Sequence, residues 1–162
     1  MKFALALATT VFLAGNAFAA QPKPIEQYDY WGAFEYQDPK RGKLCYALAV
    51  PQAKAPEDRN HGDVFFVVSA KPGGYEPQVE VGYPLKPEAD VRVKVGAKSF
   101  EMFSKDNNAW LKDLKGEPAL IEAMRKGAQM TVSGTSRKGT RTSYTYNLSG
   151  VTAALKRIRD CK

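Results

Sequence analysis

The sequence predicts a mainly β fold, an antiparallel β-sandwich with one short internal helix and one helix at the C-terminus. Three patterns carry this reading. Val79, Val81 and Tyr83, and again Val91, Val93 and Val95, alternate with polar or small residues, as half-buried antiparallel strands do. The run Val64, Phe65, Phe66, Val67, Val68 is too short for a typical buried helix and rich in strand formers, which places it centrally in a sheet with both faces covered. Glycine and proline divide the chain into short segments, with Gly42, Gly96 and Gly139 at turns between them. The 162 residues are 44% hydrophobic and 25% charged, which fits one folded domain rather than a disordered chain.

The first segment stands apart. Met1 and Lys2 start a positive leader, residues 3–14 are almost wholly apolar, and Ala17-Phe18-Ala19 places small residues at alternate positions. Residues 1–19 therefore predict a secretory signal peptide cleaved near Ala19. Its apolar stretch is far shorter than the ~20 residues a spanning helix needs, and no later stretch approaches that length. The predicted location is the periplasm, the outer membrane surface or the medium, with no transmembrane segment. Residues 20–27, interrupted by Pro22 and Pro24, read as an extended arm, and residues 28–162 as the single domain.

Within that domain, residues 28–36 are aromatic and strand-like, Asp38-Pro39-Lys40-Arg41-Gly42 is a turn, and residues 43–50 alternate. Leu44, Tyr46, Leu48 and Val50 share one face of this strand; the other carries only Cys45, Ala47 and Ala49, which leaves room for a helix to lie close. The C-terminus supplies one. Ser149 is a good N-cap, and Val151, Ala154, Leu155, Ile158 and Cys161 recur at three- and four-residue spacing. An even cysteine count in an exported chain predicts a Cys45–Cys161 disulfide that clamps this helix to the small-residue face. Phe100 to Phe103 continues the β pattern, and Ala109-Trp110-Leu111 re-enters the core. Pro118, the apolar Leu120, Ile121 and Met124, then Arg125, Lys126 and Gly127 mark a helix near 118–126. Residues 129–135 and 140–148 form a hairpin with Met130, Val132, Thr142, Tyr144, Tyr146 and Leu148 turned inward.

Charge points to anionic partners. The chain carries 24 Lys and Arg against 17 Asp and Glu, a net +7, and loses one positive charge with Lys2. Export disfavours nucleic acid. The hairpin tip collects Arg137, Lys138 and Arg141, the candidate contact for an anion or partner, with Gly139 at a positive φ. The tip lacks the Gly-Lys-Ser/Thr and following helix of a phosphate-binding loop.

Catalytic patterns are sparse. His61 is the only histidine, no Gly-x-Ser-x-Gly elbow occurs, and His61 reads as a loop residue capping a turn. With both cysteines paired, no metal ligand set remains, and no cofactor is predicted. Asp29, Glu35, Asp38 and Asp63, and the neighbours Glu57 and Asp58, leave a carboxylate-based enzyme acting on envelope polymer as the rival reading. Tyr75, in Pro72-Gly73-Gly74-Tyr75, reads as a loop aromatic free for recognition.

Seven segments in order add a family to this reading. Cys45-Tyr46-Ala47 ending at Pro51, Gly62-Asp63-Val64-Phe65-Phe66, Val81-Gly82-Tyr83-Pro84-Leu85, Ala109-Trp110, Ala123-Met124-Arg125-Lys126-Gly127, Gly134-Thr135-Ser136 with Lys138-Gly139-Thr140, and residues 146–155 followed by Cys161 resemble the invasion-associated locus B family. The resemblance spans about Trp31 to Cys161. It implies an exported alphaproteobacterial protein with an immunoglobulin-like β-sandwich, no catalytic motif, and in some members a link to virulence through entry into host cells. The combined expectation is a noncatalytic envelope protein that binds a protein or an anionic lipid or polysaccharide. A general envelope-stabilising factor is the other alternative.

Overall fold

A computed structural model describes residues 21–161; the expected signal peptide lies outside them. The described chain forms eleven strands, two α-helices and one turn of 3-10 helix at Leu114–Gly116. The strands are β1 (Lys23–Tyr28), β2 (Trp31–Asp38), β3 (Gly42–Ala49), β4 (Ala53–Ala55), β5 (Phe65–Lys71), β6 (Gly74–Glu80), β7 (Val91–Val95), β8 (Lys98–Lys105), β9 (Asn108–Leu111), β10 (Gln129–Thr135) and β11 (Arg141–Asn147). The helices are α1 (Glu117–Lys126), between β9 and β10, and α2 (Val151–Arg159), after β11.

All strands join one antiparallel sheet in the order β1-β2-β3-β5-β6-β9-β8-β7-β10-β11-β4. The mainly β, sandwich-like body with two short helices is therefore as expected, but its layers are parts of one bent sheet. The bend shows in contacts between strands far apart in that order. Phe66 of β5 meets Tyr146 of β11 edge-on at 5.8 Å between ring centroids, and Trp31 of β2 donates from Nε1 to the Asn147 carbonyl at 3.0 Å. The segment from β3 to β4 crosses between the ends of the sheet: β3 is third in order, and after Pro51 β4 becomes the final strand on β11. Gln52 N–H donates to the Thr145 carbonyl at 2.7 Å and fixes that crossing.

The C-terminal helix fills the concave side. Cys45, Ala47 and Ala49 are buried, as are Val151, Ala154, Leu155 and Ile158, and α2 packs on β2, β3 and β5. The predicted small-residue face is the helix-packing face, and Cys45 is bonded to Cys161 with 6.2 Å between their Cα atoms. The N-cap differs from expectation. Gly150, not Ser149, caps α2 at φ +90, and a Cβ there would fall 1.9 Å from the Tyr28 carbonyl oxygen. Ser149 instead donates to the Asp29 carboxylate at 2.6 Å.

Helix α1 buries Leu120, Ile121 and Met124 as its spacing predicts, and Lys71 reaches its buried Glu117 at 2.5 Å. Because α2 covers only the concave face of the central strands, the run 64–68 is buried on one side alone: Val64, Phe66 and Val68 are inside, Phe65 and Val67 half-exposed. Trp110 likewise sits half-exposed on the outer face, between buried Ala109 and Leu111. Of residues 20–27, read as an arm ahead of the domain, residues 23–27 belong with Tyr28 to the sheet's edge strand, where the missing N–H of Pro24 is tolerated.

The disulfide closes a loop of 116 residues in sequence separation. Replacing Cys45 and Cys161 together with alanine is expected to lower unfolding free energy by about 2–5 kcal/mol, read as an earlier midpoint in guanidinium denaturation under oxidising conditions.

Candidate functional site

Three loops meet at one end of the sheet, and glycines let them touch. Gly62 has φ +60, and the Asn60 side chain accepts its N–H at 2.9 Å, which turns the chain into Val64. A Cβ on Gly82 would stand 2.6 Å from both the Gly62 Cα and the His61 carbonyl oxygen. The 60–63 and 81–84 loops therefore pack backbone to backbone, an approach only glycine permits. The β10–β11 tip is fastened to the same place. Arg137 N–H donates to the Pro84 carbonyl at 2.9 Å, Lys86 N–H to the Thr135 carbonyl at 2.9 Å, and Gly139 turns the tip at φ +87.

Between these loops lies a cavity of about 400 Å³, within the size range of small-molecule sites. Arg59, Arg137 and Lys138 stand on its rim, and no carboxylate lines it. Arg137 and Lys138 have no side-chain partner among the described residues, while Arg59 faces the exposed Asp58 at 3.7 Å.

The floor is a polar chain, buried at His61, Thr142 and Tyr144 and half-buried at Tyr83. His61 Nε2 lies 2.9 Å from the Pro56 carbonyl and Nδ1 2.9 Å from the Tyr144 hydroxyl. A carbonyl only accepts, so Nε2 carries a hydrogen. The Tyr144 hydroxyl is 2.7 Å from that of Tyr83, which is 2.7 Å from Thr142 Oγ1, and Thr142 Oγ1 lies 3.3 Å from the Gly134 carbonyl, a second acceptor within reach of its one hydrogen. Burial first, and then the hydrogen bond with Tyr83, push the Tyr144 phenol well above the ordinary tyrosine range. Burial does the same to Tyr146, whose hydroxyl has no partner among the described residues.

A family model described as the invasion associated locus B (IalB) protein matches residues 31–159. The chain belongs to the IalB family. A comparison with curated proteins returns no match. Among solved structures, the crystal structure of invasion associated protein B from Bartonella henselae is similar, with a TM-score of 0.59 at 17% identity, over 82% of this chain and 94% of that one. At that identity the likeness shows a shared fold. Three of the segments that carry the family resemblance, at Gly62, at Gly82-Tyr83-Pro84 and along residues 134–140, converge on the cavity of this IalB chain.

The candidate anion residues separate in space. Arg137 and Lys138 reach the cavity; Arg141 starts β11, where alternation sends it to the face opposite Thr142 and Tyr144. His61 is not a turn cap: it is buried, 6% exposed, and bridges two segments, while Asn60 makes the turn. Tyr75 is not free either, since its hydroxyl donates to the Leu155 carbonyl at 2.9 Å and Arg125 lies over its ring. The carboxylates are dispersed: Asp29 holds Ser149, Glu35 faces Lys43, and Asp38 accepts the backbone N–H groups of Arg41 and Lys40, which hold its carboxyl below the usual range. Asp63 is exposed, outside the cavity lining.

The sequence marked Thr142 and Tyr144 only as inward-facing. Their alternation gives the face but not the partner that a third loop delivers.

Tyr146→Phe removes a buried hydroxyl without a partner and is expected to raise stability by about 1–3 kcal/mol at neutral pH. Above about pH 10, the unfolded chain releases tyrosine protons that the folded chain keeps, so stability falls as pH rises. The same variant is expected to shed part of that alkaline decline, read by urea denaturation across pH 9 to 11.

Proposed function

We propose that this IalB-family chain is an exported, noncatalytic envelope protein that captures an anionic group of an envelope or host component in the cavity under the β10–β11 tip. The observation that carries the reading is a cavity with three cationic side chains on its rim, two of them unpaired among the described residues, and no carboxylate in its lining. A cluster in which two of three cations lack a counter-charge lowers the energy of an incoming anion and steers its approach. The floor supports a binding rather than a reactive role. His61 has both ring nitrogens engaged with protein atoms, so neither is available as a base toward a ligand.

Export is supported by the leader pattern at residues 1–19 and by the disulfide. No helix among the described residues is long and apolar enough to cross a membrane. An association with host entry is supported by family membership and by the name of the similar Bartonella henselae protein.

Reversing charge at Arg137 and Lys138 together is expected to reduce partner capture, measured by crosslinking in intact cells, by about tenfold or more. Arg141→Glu, on the opposite face, is expected to leave capture unchanged. Capture that survives the double reversal would remove the cavity from consideration as the binding site.

A further inference from the structure

We propose that the cavity takes a sugar or related polyol bearing an anionic group, a phosphate or a carboxylate, with the anion under the rim cations and the hydroxyls on the floor. This rests on the anion-capture reading and adds what the anion is attached to.

A count of hydrogens on the floor leads to it. If His61 Nδ1 is bare, Tyr144 gives its proton to His61, Tyr83 to Tyr144, and Thr142 to Tyr83. If Nδ1 is protonated, the chain runs the other way: His61 donates to Tyr144, Tyr144 to Tyr83, Tyr83 to Thr142, and Thr142 to the Gly134 carbonyl. In both states the hydroxyl hydrogens of Tyr83 and Thr142 are spent inside the protein. Both residues line the cavity, and each hydroxyl oxygen keeps only lone pairs for a ligand. A lone pair repels an anion and accepts a hydroxyl hydrogen.

The rim has the opposite character, since Arg59, Arg137 and Lys138 are donors only. One end of the ligand is thus required to be negative and the other to offer O–H groups. The ring of Tyr83 and the adjacent Pro84 supply an apolar wall for the C–H face of a sugar. The volume of about 400 Å³ exceeds what a bare phosphate or carboxylate fills.

The test is calorimetric titration of the mature, disulfide-bonded protein with glucosyl phosphate, glucuronate, glucose and inorganic phosphate at one ionic strength. At least one sugar anion is expected to bind about tenfold or more tightly than inorganic phosphate, and glucose at least about tenfold more weakly than that sugar anion. Tyr83→Phe, with Thr142→Val as a second variant should the first fail to fold, is expected to erase most of the preference for the sugar anion over inorganic phosphate. Affinity for inorganic phosphate itself should stay within about twofold, a separation that general loss of structure would not produce. Arg137→Glu should weaken both anions alike.

Equal binding of sugar anions and inorganic phosphate would overturn this inference and leave anion capture standing. Binding of no probe, or glucose binding as tightly as its phosphate, would overturn both. Cosedimentation with vesicles containing lipid A, competed by glucosyl phosphate, would assign the sugar anion to a membrane headgroup; soluble binding without cosedimentation would assign it to a free sugar.

Discussion

A helix can lie close to a strand only where the strand offers small side chains, and this constraint orders the rest of the molecule. Cys45, Ala47 and Ala49 give β3 such a face, α2 settles on it, and the Cys45–Cys161 bond holds the end of the helix to the strand. With α2 inside, the sheet curves around it. Trp31, Phe66 and Tyr146 then meet across the interior although their strands are well separated in the sheet order. The bulky partners of the small residues, Leu44, Tyr46 and Leu48, are turned outward and remain half-exposed, with Tyr46 stacked on Phe34 at 5.5 Å.

The same curvature builds the cavity. Once the chain passes from β3 through Pro51 to β4 on β11, the following loop arrives beside Tyr144 and delivers His61 to it. The contact of Gly62 with Gly82 then brings the Tyr83 loop alongside, and backbone bonds to Pro84 and Lys86 fasten the β10–β11 tip. The result joins a rigid floor to a cationic rim. The floor is fixed by short hydrogen bonds among buried and half-buried groups, whereas the rim side chains are long and exposed.

Periodicity gave a dependable account of faces and a weaker one of neighbours. Alternation in β7, β10 and β11 assigned inward residues that are all buried, and the spacing in α2 assigned its buried stripe. Where interpretation required knowing what lies opposite, it failed. The run at residues 64–68 has the composition of a strand covered on both sides, yet α2 packs against this strand while Phe65 and Val67 stay half-exposed. Tyr75 follows two glycines and resembles a free loop aromatic, but α2 passes close enough to accept its hydroxyl hydrogen. Ser149 has the chemistry of an N-cap, but the approach of Tyr28 requires Gly150 at that position.

Sequence alone determined the β character, the inward stripes, the pairing of the only two cysteines and the positive charge of the β10–β11 tip. Each follows from local spacing or from a count, which survive without knowledge of distant contacts. Tertiary structure decided that Arg137 and Lys138 face a cavity while Arg141 does not, and that His61, Tyr83, Thr142 and Tyr144 form one hydrogen-bonded chain. These residues are up to 83 positions apart, and alternation fixes only the side of the sheet a residue occupies. Which loop closes over that side depends on how the whole sheet bends around its helix.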